Sequence, residues 1–117
     1  MKMKWYPQLY VGEQVSKKKK KIVWKISHHR KVYDVYLITL SSNGQDIFDI
    51  FSSKYLIFPA LFRNCPPVIG IAGSYLEAVD LVINIIEEAY KETGNADARI
   101  YLEEKMRQFK QERKRQV

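Results

Sequence analysis

Lysine is the residue type whose clustering says most about chemistry in this chain. Lys17, Lys18, Lys19, Lys20 and Lys21 run consecutively, and Lys25, Arg30 and Lys31 follow closely. Cations at such density displace the counterions condensed on a polyanion, the source of sequence-independent affinity for nucleic acid, so these residues form a candidate polyanion-binding set. Trp5, Tyr6, Trp24, Tyr33 and Tyr36 lie near them in sequence and carry π faces on which bases stack. The competing account is plainer: a solvated lysine face whose aliphatic stems cover apolar surface, with the aromatic rings in the core. No RNP-type, KH or helix-turn-helix pattern accompanies the charge. Arg113, Lys114 and Arg115 add a second basic run near the end.

A second candidate is a small-anion site. Ser41, Ser42, Asn43 and Gly44 follow one apolar run, and Gly73 and Ser74 follow another. If the two runs are neighbouring parallel strands, these turns meet outside their carboxyl ends, where free backbone N–H groups and serine hydroxyls suit phosphate or carboxylate. Gly70-Ile71-Ala72-Gly73-Ser74 matches neither G-x-G-x-x-G nor a P-loop, and ordinary caps and tight turns explain the same residues.

Other reactive types do not converge. His28 and His29 are adjacent, and consecutive helical residues point about 100° apart, so the pair cannot face one metal ion. Cys65 is the single cysteine, which excludes an internal disulfide and points to a reducing compartment. Nothing beside it marks a nucleophile, and a small apolar role is the simpler account. Asp46, Asp49, Glu87 and Glu88 read as solvated helix faces without a convergent polar set. The expectation is therefore no catalytic residue, no metal and no cofactor.

The elements that must position the lysines belong to a chain of 117 residues with 46% apolar and 28% charged residues, which suits one globular domain over 1–117 with one core. Its formal charge of +7 is unevenly spread. Residues 1–31 hold ten Lys or Arg and one acid, 32–96 hold three and eight, and 97–117 hold seven and four. Basic ends around an acidic middle fit either a polyanionic partner or complementary faces meeting within the protein or between copies. The longest uncharged apolar run, Tyr55 to Phe62, is far below the roughly 20 residues of a membrane span. Pro7, Gln8, Gly12 and Glu13 interrupt the basic start before a signal-like stretch forms, so a cytoplasmic location is expected and no membrane partner.

The pattern predicts an α/β fold of two or three strands, at about 32–40 and 67–72 and paired in parallel, flanked by helices at about 14–28, 75–93 and 97–112. The helix at 75–93 has the clearest ends: Ser74 and Glu77 match a capping box, and Lys91 followed by Gly94 suits a helix terminus. Its apolar residues Tyr75, Val79, Val82, Ile86 and Ala89, widened by Leu76, Ile83 and Tyr90, need cover on more than one side, part of which a second copy of the chain would supply. In the basic segment Val15, Ile22 and Ile26 share a helical face while Ile22, Trp24 and Ile26 alternate as in a strand; lysine's propensity favours the helix. Asn43-Gly44 suits a hairpin, whereas Ser42 to Gln45 suits a helix cap; the spacing of Ile47, Ile50 and Phe51 favours short helices there, with Ser53 capping another through Tyr55 to Phe58. Two functions follow: a non-enzymatic binder of nucleic acid or another polyanion, or a self-associating homo-oligomeric module.

Overall fold

A computed structural model describes residues 3–43 and 45–115. It is a small α/β domain in three layers around a four-stranded mixed sheet. The strands are β1 (Trp5–Val11), β2 (Tyr36–Leu40), β3 (Phe48–Ser52) and β4 (Val68–Ala72), in the order β1-β4-β2-β3. A 3-10 turn (Glu13–Lys18) leads into α1 (Lys19–Ser27), and another (Ser53–Ile57) into α2 (Pro59–Arg63). The last two helices are α3 (Tyr75–Thr93) and α4 (Ala98–Arg115).

Strand alternation divides the core between the two faces of the sheet. Leu37, Phe51, Ile71 and Val11 point to the layer of α1 and α2, where they meet Val15, Ile22, Ile26 and Leu56. Ile38, Ile50, Tyr6 and Tyr10 point to the layer of α3 and α4, where they meet Ala78, Ile85, Ala89 and Leu102. The helix at 14–28 is present, but its first turn and a half is the 3-10 segment.

The two strong strand signals are antiparallel rather than parallel. Tyr36 pairs with Ala72 and Thr39 with Val68, so β4 runs against β2, and its parallel partner is β1. The expected parallel pair presumed a helix after β2, but β2 enters a hairpin instead. Asn43 Oδ1 accepts from the backbone N–H of Gln45 (2.8 Å) and of Asp46 (2.9 Å), and its Nδ2 donates to Asp46 Oδ2 (3.0 Å). This side chain therefore builds a turn, in place of the helix cap expected over Ser42 to Gln45. Beyond it, Phe48 to Ser52 pair residue for residue with β2, which replaces the short helix expected at 42–51. Strand β2 is also shorter than its apolar run, beginning at Tyr36. Strand β1 was not among the expected strands; it contains Pro7, which its edge position accommodates because an edge strand has N–H groups with no ladder partner.

Both ends of α3 are where the cap residues put them. Ser74 Oγ accepts from the Glu77 N–H at 3.2 Å, and Gly94 adopts φ 75° while its N–H donates to the Tyr90 carbonyl. Pro59 opens α2 at its first position, and the cap of the turn before it is Ser52, not Ser53.

Candidate functional site

Burial of Ile22 and Ile26 against the sheet fixes the rotation of α1. With the 3-10 turn held by Val15, that rotation carries Lys18, Lys21 and Lys25 along one flank of the segment. Lys31 closes on them from the loop after α1. These four lysines, with Gln14, Tyr33 and Gly73, line an open cleft of about 400 Å³ whose single carboxylate among the described lining residues is Asp34. The one ion pair among the described residues is elsewhere, between Arg107 and Glu104 on α4 (2.6 Å). Among the described residues no carboxylate is at ion-pair distance from the cleft lysines, a concentration of like charge in a concave site that attracts anions.

The rest of the lysine run is divided from the cleft. Lys19 and Lys20 lie on the other flank of α1 with Val23, Trp24 and His28, and Lys17 is exposed on the preceding turn. Trp24 is 51% exposed; the His28 ring stacks on it at 4.1 Å between centroids, and the Arg30 guanidinium lies over it at 5.8 Å. Arg113 stands at the opposite end of β1, in a separate cleft of about 430 Å³ with Lys4, Lys110 and Trp5. The side chains of Lys114 and Arg115 lie outside the described residues.

The loop between α1 and β2 is tightly held. His29 (φ 55°) and Asp34 (φ 59°) are the two non-glycine residues with left-handed backbone among those described, and they bracket Arg30 to Tyr33. Histidine and aspartate tolerate that conformation better than most residues. His29 offsets the strain by donating from Nε2 to the Leu56 carbonyl (2.8 Å) and stacking on Phe62 (4.4 Å). His28 donates from Nδ1 to the Trp24 carbonyl (2.8 Å), so the two histidines have separate partners.

The candidate anion residues do not come together. Because β2 and β4 are antiparallel, Ser41, Ser42 and Asn43 sit at one end of the sheet and Gly73 and Ser74 at the other. Gly44 lies outside the described residues. Ser41 Oγ is engaged by the Asn43 N–H (3.3 Å), and Ser74 Oγ by its helix cap. At the carboxyl ends of β1 and β4 the chain leaves to opposite faces, the arrangement at which open α/β sheets bind ligands. Here the Glu77 carboxylate fills that position, accepting from the Gly73 N–H (2.9 Å) through Oε1 and from the Gln14 N–H (3.0 Å) through Oε2. The donors expected to greet an external anion are used by an internal one. Gly73 joins instead to the lysine cleft, as part of its wall.

Among the remaining reactive groups, Cys65 is half-buried, and burial pushes its thiol up to about 11, so it carries no thiolate at neutral pH. No three His, Cys, Asp or Glu side chains among the described residues are placed to hold a metal ion. Nor is any described helix long and apolar enough to cross a membrane.

A cluster missed in the sequence joins β1 to both long helices. Tyr10 Oη and Tyr101 Oη (2.9 Å) both donate to Glu88 Oε2, and Tyr6 stacks on Tyr10 at 5.7 Å. Burial first, then the bond to Glu88, raises Tyr101 from 10.0 up to about 12, and the same causes raise Tyr10. Both phenols are therefore more readily kept neutral folded than unfolded. The stability Tyr101 contributes is complete below pH 10 and is lost as pH rises through about 12, and that of Tyr10 persists higher still. Tyrosinate absorbance during an alkaline titration should show these two rings ionising late and together with unfolding. Tyr10→Phe combined with Tyr101→Phe should make unfolding less steep in that window.

Compared with protein-family models, with curated proteins and with solved structures, the chain gave no match.

Proposed function

We propose that this chain is a non-enzymatic binding module for nucleic acid or another polyanion, with Lys18, Lys21, Lys25 and Lys31 as its contact set. The observation that carries this reading is their convergence on one cleft with no carboxylate of the described residues within ion-pair distance. Lys17, Lys19, Lys20 and Arg30 extend the basic surface to either side and serve long-range attraction. Each phosphate bound releases condensed counterions, so affinity is set by salt more than by base sequence.

A second reading is self-association, and one observation favours it. Leu76, Ile83 and Tyr90 recur every seven residues on the outer side of α3 and are exposed, Leu76 to 76%. An apolar row at that spacing is the seam by which helices pair. Light scattering after size exclusion, at low and moderate salt, with and without a short mixed-sequence nucleic acid, separates the two. A mass increase that needs nucleic acid and vanishes with salt is the expected result. A dimer of constant mass, indifferent to nucleic acid, would replace the first reading with the second.

A further inference from the structure

We propose, resting on the cleft reading above, that the His29–Asp34 loop selects single-stranded over double-stranded nucleic acid by stacking one base on Tyr33 while neighbouring phosphates lie on Lys25 and Lys31. Tyr33 is 70% exposed, and its ring has no aromatic or cationic partner among the described residues. An aromatic ring left in water forgoes the burial that makes such residues valuable in a core, and a free π face is what an unpaired base covers.

The placement of the ring supports the same conclusion. Tyr33 lines the lysine cleft and also a smaller cavity of about 130 Å³ beside Arg30, Lys31 and Lys54. It thus stands at the junction of two basic concavities, where a strand passing from one to the other would cross it. The left-handed residues at either end of the loop, and the anchoring of His29 to Leu56 and Phe62, shape the backbone that carries Tyr33 before a ligand arrives, which lowers the entropic cost of ordering the loop on binding. Trp24 is not an equivalent platform, since His28 and Arg30 already lie on its ring. A duplex keeps its bases stacked on one another and would meet the lysines alone.

The test is a fluorescence anisotropy titration of the whole chain with a labelled single strand and with a blunt hairpin duplex of equal charge, repeated at several salt concentrations. The single strand should bind more tightly. Tyr33→Ala should weaken single-strand binding by about tenfold and leave duplex binding and the salt slope unchanged, while Tyr33→Phe should retain affinity. Tyr33 is on the surface, so both variants should keep the wild-type circular dichroism. Salt-dependent binding with equal affinity for both forms, or with no effect of Tyr33→Ala, would overturn base stacking and leave the lysine cleft standing. No binding of either form at low salt would overturn both.

Discussion

Replacing Lys18, Lys21, Lys25 and Lys31 together by glutamine is expected to weaken binding to a single strand by roughly two to three orders of magnitude at about 0.1 M salt. The magnitude comes from counterion release. Each phosphate contact on a single strand contributes about 0.7 to the slope of log affinity against log salt, so losing four contacts flattens the slope by about 3. The same variant should be no less stable than the parent. Within α1, Lys21 and Lys25 are four apart on one flank, and like charges at that spacing destabilise a helix by about 0.2–0.5 kcal/mol per pair. Glutamine keeps the helix propensity and removes that repulsion. Denaturant unfolding alongside the titration checks both effects. Lower affinity with equal or higher stability would mark the cleft as a binding surface, whereas unchanged affinity and slope would remove it. Replacing Lys17, Lys19 and Lys20 instead should cost less, because they lie outside the cleft.

The parts of this fold that were legible in the sequence are those decided by neighbours in the chain. Both caps of α3 depend on residues within one turn of each helix end, and Ser74, Glu77 and Gly94 act as their types predict. The hairpin was misread because Asn43-Gly44 suits a turn while Ser42 to Gln45 suits a helix cap, and only the strand pairing of Phe48 to Ser52 with β2 decides between them. Strand direction was out of reach for a related reason: β4 pairs with β1, more than fifty residues earlier, and β1 was not among the expected strands. The strand expected at about 32–40 included Tyr33, whose ring the sequence offered either to bases or to the core. In the fold, Asp34 turns the chain before β2 begins, which puts Tyr33 in solvent.

The lysine cluster itself was plain, but its division was not. Five consecutive lysines look like one patch on paper. A helix distributes them around its axis, and the buried pair Ile22 and Ile26 decides which of them meet Lys31. The small-anion site failed on the same kind of information. Residue types at Gly73 and Ser74 suited an anion, and an anion is there, supplied by Glu77.

That internal carboxylate gives the second large prediction. Gly12→Ala and Glu77→Ala should each destabilise the fold by about 2–3 kcal/mol, and the double variant should cost little more than either alone. A Cβ built at Gly12 falls 2.0 Å from Glu77 Oε1, so alanine there expels the carboxylate, and the Gly73 and Gln14 N–H groups lose their acceptor. Deleting the carboxylate directly leaves the same donors unpaired. Because both changes break one interaction, the second has nothing further to break, and the coupling should equal most of a single cost. Denaturant midpoints for the four proteins of the cycle measure it. Additive costs would mean that Gly12 is required for its own backbone and that Glu77 acts independently of it. A large coupling would identify the contact between α3 and the turn after β1 as the joint on which the lysine cleft is built, since Gln14 and Gly73 belong to both. Gly12→Ala should then also lower affinity for the single strand by loosening the turn that carries Lys18, whereas the glutamine variants lower it without loosening anything.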